Sequence, residues 1–164
     1  MYPTKILLAT DGSKESAPAL RTAVELAATG SQLHLVHAIS TVPQRPYPRA
    51  YEREMREAIL HRTRLAALAL LDEKVSQVEE MGGTVAGSHY REGKKPAREV
   101  ARLAEELGAD LVVTGGRRSG LFVRMFLPDF AELVYRRVRC ATLIVGTPGS
   151  RGSRGARTWE PSCC

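Results

Sequence analysis

Leu111-Val112-Val113-Thr114-Gly115-Gly116-Arg117-Arg118-Ser119-Gly120 is the stretch that decides the fold. After it come the apolar segment 121–127, the pair Pro128-Asp129, a short helical pattern and the apolar run 141–145. The plan is strand, Gly-rich loop, helix N-terminus, strand. In an open parallel sheet this plan sets a loop and the positive end of a helix dipole at the carboxyl end of a strand, where anions and nucleotides bind. The preceding chain then supplies the rest of the sheet and the facing wall of that cleft.

Working outward, the same alternation repeats. Residues 5–10 form a short apolar run closed by Asp11-Gly12-Ser13, which predicts a buried strand ending in a turn. Ser13 or Ser16 is suited to cap the next helix, whose apolar stripe is Leu20, Ala23, Val24 and Ala27, with Gly30 ending it. A second strand covers 32–39. Pro43, Pro46 and Pro48 then mark an extended loop. Residues 51–81 read as one long helix closed by Gly82-Gly83, with Leu68, Leu71, Val75 and Val78 facing inward. A weaker strand spans 84–92, where Gly87 argues against regular pairing. Pro96 opens a helix striped by Val100, Leu103, Ala104 and Leu107 and ended by Gly108. The fourth strand covers 111–114. A helix with Phe130, Leu133 and Val134 follows Asp129, and 142–145 form the fifth strand. This β-α-β-α-β-α-β-α-β order predicts an α/β fold: an open five-stranded parallel sheet with helices on both faces. One domain over residues 1–147 is expected, with a flexible Gly/Ser/Arg tail over 148–164.

The 164 residues suit one domain with a real core; 43% are hydrophobic and 26% charged, the balance of a globular protein. No apolar run is long enough to cross a bilayer, and the first residues lack a signal-peptide pattern, so a cytoplasmic protein without membrane contact is expected. The net charge is +6, of which the tail carries +2 through Arg151, Arg154 and Arg157 against Glu160. A surplus this modest fits an anionic small ligand or an acidic protein partner. No aromatic-basic alternation accompanies it, so nucleic acid is not expected as a partner. The three cysteines, Cys140, Cys163 and Cys164, form no disulfide framework. Cys140 reads as a buried, inert thiol, and Cys163 and Cys164 end the tail without an assigned role. His34, His37, His61 and His89 show no metal-ligand spacing with the cysteines, so no metal site is expected.

Four segments carry a family resemblance: Ile6 to Ser13 (ILLATDGS), Gly93 to Val100 (GKKPAREV), Ala109 to Gly115 (ADLVVTG) and Cys140 to Val145 (CATLIV). With these residues the chain resembles a universal stress protein of the UspA type over about residues 4–146. The resemblance implies a Rossmann-like sheet in strand order 3-2-1-4-5 and dimerisation through the last strand. That strand places Thr142, Leu143, Ile144 and Val145 at an apolar edge, which pairing with a second copy would cover. One subset of the family binds ATP and another does not.

The ATP-binding subset carries Gly, two residues, Gly, nine residues, then Gly followed by Ser or Thr. Laid on this sequence without gaps, the pattern keeps Gly115 but meets Arg118, Pro128 and Asp129 at the other three positions. Pro128 has no N–H to offer a phosphate. Asp129 is a good N-cap, so its own carboxylate can occupy the positive helix end. Repulsion and a lost donor together would weaken phosphate binding by roughly a hundredfold. Against this, Arg117 and Arg118 can neutralise phosphate charge, and Gly116 and Gly120 keep the loop pliable. Arg118 can equally fill the phosphate space and pair with Asp129. The resemblance further implies Asp11 near ribose or adenine, Ala9 and Thr10 beside it, Ala38 as a backbone contact to adenine, and Thr114 lining the adenine pocket. Each has a plainer alternative: Asp11 as a turn former before Gly12, Gly115 as a packing residue, Arg117 and Arg118 as a solvated loop.

No nucleophile-base arrangement, Walker A loop or zinc pattern is present, so an enzyme is not expected. The expected function is a non-enzymatic stress-response or signalling module, a homodimer with an unidentified protein partner and a degenerate nucleotide cleft. The alternative is an ATP-binding member acting as a nucleotide-linked switch, with Mg only if ATP binds.

Overall fold

A computed structural model describes residues 3–11, 16–42, 52–116 and 130–146. The elements alternate throughout: β1 (Lys5–Ala9), α1 (Ala17–Ala27), β2 (Gln32–Ser40), α2 (Glu52–Glu80), β3 (Gly87–Gly93), α3 (Pro96–Leu107), β4 (Leu111–Gly116), α4 (Phe130–Tyr135) and β5 (Ala141–Gly146). All strand pairs are parallel, and the sheet order is β3-β2-β1-β4-β5. This is the α/β arrangement and strand order expected from the sequence.

Two cores form on the two faces, because alternate residues of each strand point to opposite sides. Ile6, Leu8, Leu33, Leu35 and Val113 pack with α1 and α2 through Leu20, Ala23, Val24, Leu71 and Val78. Leu7, Ala9, Val36 and Val112 pack with α3 and α4 through Val100, Leu103, Ala104 and Val134. The central strand β1 is buried from Ile6 onward. Such near-continuous apolar runs are what a strand covered on both faces requires.

The helix ends follow local chemistry at α3, where Pro96 occupies the first turn and Gly108 closes the helix in the left-handed region at φ 63°. The start of α1 differs from the expectation. Ser16 holds the N-cap position but makes no capping bond with its side chain, because its backbone is already helical at φ −82°, ψ −14°. Its hydroxyl instead accepts from Thr10 Oγ1 at 3.4 Å. Gly30 is likewise not the first residue past α1. Ala28 is, and Gly30 turns the chain two residues later with φ 101°.

Three further expectations are corrected. Leu68 does not face inward: it is 43% exposed, whereas Ala67 and Leu71 are buried. The long helix α2 carries apolar residues around much of its circumference, so the sequence alone left its buried face open. Gly116 is not part of a pliable loop but the last residue of β4, paired with Gly146 and buried. A Cβ there would come within 2.8 Å of Ile144 Cγ2, so close packing of β5 on β4 requires glycine. Cys140 precedes β5 and is only half-buried; burial pushes its thiol pKa up. Among the described residues, no helix is long and apolar enough to cross a membrane.

Candidate functional site

The order β3-β2-β1-β4-β5 makes β1 and β4 neighbours whose connections run to opposite sides, which places a crevice at their carboxyl ends. Ala9 lies in register with Val36 on one side and Thr114 on the other. Ala38 is two residues beyond Val36, on the same sheet face. Ala9, Ala38 and Thr114 therefore share the α3–α4 face at the carboxyl edge, where Ala9 and Ala38 join its apolar cluster. Two of the three are alanines, so this part of the face carries little side-chain bulk.

Ala9 and Thr114 are almost fully buried, and Ala38 is half-buried. Thr10 is buried and points to the other face, consistent with its contact to Ser16 on the α1 side. Asp11 is exposed two residues beyond the carboxyl end of β1, at the crevice edge. Gly115 follows Thr114 inside β4 and is half-buried. Six of the nine candidate residues, Ala9, Thr10, Asp11, Ala38, Thr114 and Gly115, are thus brought to one edge by three adjacent strands. Arg117, Arg118 and Asp129, with Pro128, lie outside the described residues.

One contact at this edge was missed in the sequence. His37 Nδ1 lies 2.7 Å from the Thr10 carbonyl oxygen. A carbonyl only accepts, so Nδ1 carries the proton and the ring donates. With the Thr10 N–H donating to the Val36 carbonyl at 3.0 Å, this fastens the turn after β1 to β2. The signal available in sequence was a polar residue amid the apolar run of β2, but its partner is 27 residues away. The rim beyond β3 is basic: Lys94 and Lys95 precede α3 and are exposed, with Arg98 in the first turn of the helix.

The polar groups with shifted acidity lie elsewhere. Asp110, at the amino ends of the strands, accepts from Thr4 Oγ1 at 2.6 Å and from the Thr4 and Lys5 N–H groups at 2.8 and 3.0 Å, which hold its carboxyl below the usual range. Glu92, held low by Tyr90 OH and then Arg64, belongs to a surface network on β3 and α2. Neither carboxylate faces the crevice floor. Among the described residues no cluster of three metal-ligating side chains occurs. The described edge has the chemistry of a binding surface: a small, largely apolar floor, one carboxylate at its mouth and lysines on its rim.

Comparison with known proteins places this geometry. A family model described as the universal stress protein family matches residues 3–146. A universal stress protein of Methanocaldococcus jannaschii is 28% identical over 145 residues, which span 88% of this chain and 82% of that protein. A solved member of the family from Burkholderia pseudomallei superposes with a TM-score of 0.62 at 26% identity, covering 88% of this chain and 96% of that one. A universal stress protein solved in complex with cAMP shares the fold with a TM-score of 0.61 at 23% identity, over 90% and 99% of the two chains.

Proposed function

Because the chain belongs to the universal stress protein family, we propose that it is a non-enzymatic stress-response or signalling module whose nucleotide-type cleft has lost the family's triphosphate cradle. The observation that carries this reading is the meeting of Ala9, Ala38 and Thr114 on one face at the switch point, with Asp11 at the mouth. A flat base fits a floor of small side chains, and a carboxylate at its border accepts from a sugar hydroxyl. The phosphate end is where this chain departs. Asp129 immediately precedes in sequence Phe130, the first residue of α4. Aspartate is a favoured N-cap residue, and its charge there would disfavour a phosphate. Pro128 has no N–H to donate.

Calorimetric titration tests this with Mg-ATP and cAMP, on the natural protein and on the Pro128→Gly/Asp129→Ser variant. The natural protein is expected to bind Mg-ATP roughly a hundredfold more weakly than the double variant. The complex of a relative with cAMP supports the second reading, a nucleotide-linked switch. Equal, tight Mg-ATP binding by both proteins would establish that reading and show that Arg117 and Arg118 replace the lost donors.

We also infer a homodimer through β5. Leu143 and Val145 are half-buried and Ile144 is 46% exposed on an edge strand whose outer side has no neighbouring strand among the described residues. A second copy across a two-fold axis covers such an edge. Light scattering at micromolar concentration should give twice the chain mass.

A further inference from the structure

His34 and His89 are 55 residues apart in sequence and meet on the α3 side of the sheet. His34 Nδ1 and His89 Nε2 are 3.2 Å apart, with ring centroids 5.4 Å apart and planes inclined at 30°. His34 lies in register with Gly87, two residues before His89. A Cβ at Gly87 would stand 3.0 Å from both nitrogens, so the missing side chain is what lets the rings touch. Gly87, which argued against a strand when read alone, is the seat of this contact.

The pair is built for two neutral rings. One proton lies between the facing nitrogens. His34 is 9% exposed, and its Nε2 is buried without a hydrogen-bond partner among the described residues. A second proton on that nitrogen would bring a charge into a buried place with no acceptor. The charged groups around the pair oppose it as well. Lys5 on β1 faces His34, and Arg91 on β3 faces His89. Glu106 on α3 favours charge on His89, but it is already paired with Arg91 at 2.7 Å. Burial first, then Lys5 for His34, and for His89 the His34 ring followed by Arg91, hold both imidazoles below their ordinary range.

We propose that the His34–His89 contact is an acid-sensitive latch that fastens the edge strand β3 to β2, and that acidification releases this edge of the sheet. The sign follows from linkage. Both rings take protons less readily in the folded protein than in the unfolded chain. The contact's contribution is fully present above about pH 6.5 and is lost as the pH falls below it. Each ring kept neutral costs up to about tenfold in the closed-to-open ratio per pH unit within that window. The latch lies toward the amino ends of β2 and β3, away from the proposed nucleotide cleft, and does not depend on it.

Two measurements on the full chain test the latch. In an NMR titration, His34 and His89 should become charged at lower pH in the folded chain than in the same chain unfolded in denaturant. Hydrogen exchange, corrected for intrinsic rates, should show β3 amides losing at least about tenfold protection between about pH 7.5 and 5.5. β1 amides should lose far less, and His89→Gln should remove most of the acid effect on β3. Titration of His34 and His89 at the same pH in the folded and the unfolded chain, an equal loss in β1, or an unchanged loss in His89→Gln would each overturn the proposal. The titration needs no substitution, so it decides even where the variant folds poorly.

Discussion

The two edge strands of this sheet meet the same problem in opposite ways. Each has one side without a neighbouring strand among the described residues, where unpaired backbone groups invite another strand. On β3 the strand is polar and tied down on both faces. His89 meets His34, Arg91 pairs with Glu106 on α3, and Tyr90 and Arg64 both bond Glu92. On β5 the side chains are Thr142, Leu143, Ile144 and Val145, and Ile144 stands nearly half exposed. Both edges also rest on a glycine that nothing larger can replace without displacement: Gly87 beneath the histidines and Gly116 beneath Ile144. Side-chain chemistry, rather than backbone geometry, separates the polar edge at β3 from the apolar edge at β5 through which we propose that two copies pair.

The comparison breaks most sharply at Ile144. Ile144→Asp should set two carboxylates against each other across the proposed two-fold axis and weaken assembly by at least about a thousandfold, near 4 kcal/mol. Sedimentation should then report the monomer, while thermal unfolding of the isolated chain moves little. A dimer that survives would place the interface elsewhere, and β5 would need another cover.

Next come the two glycines, which test whether both edges depend on close approach. Gly116→Ala and Gly87→Ala should each cost roughly 1–3 kcal/mol in denaturant unfolding, since a neighbouring side chain must shift. They should differ in kind. Gly116→Ala displaces Ile144 and lowers the dimer mass fraction, whereas Gly87→Ala separates the two imidazoles and flattens the acid response. If each variant disturbed both edges, the two halves of the sheet would be coupled through β1 and not separable.

The smallest effect is expected at the surface pair. Arg91 and Glu106 are 36% and 49% exposed, so Glu106→Gln should cost only about 0.2–1 kcal/mol at neutral pH. It also removes the one carboxylate that favours charge on His89. Under the latch proposal, NMR should show His89 becoming charged at lower pH in this variant than in the natural chain.

The sheet was legible in sequence because its signals are local. The apolar runs of β1 and β4, the stripe of α3 and its Pro96 and Gly108 boundaries each lie within one turn or one strand. The crevice edge was legible because Ala9, Asp11, Thr114 and Gly115 lie at or near strand ends, while the strand order that sets them side by side came from the family resemblance. The phosphate end of that crevice was readable only as a substitution pattern at Arg118, Pro128 and Asp129.

By itself, then, the sequence determined the fold class and the two helical layers. Periodicity and turn chemistry depend on near neighbours in the chain. Only the tertiary structure decided which way α2 turns, so that Leu71 is buried and Leu68 is not. It alone brought Asp110 to the amino end of β1 and His89 to His34. It alone revealed that Gly87 and Gly116 are places where neighbouring side chains need the space of a missing Cβ. Those contacts join residues from different strands and helices, and the pairing register that aligns them comes from packing both faces of the sheet at once, which no local window of sequence contains.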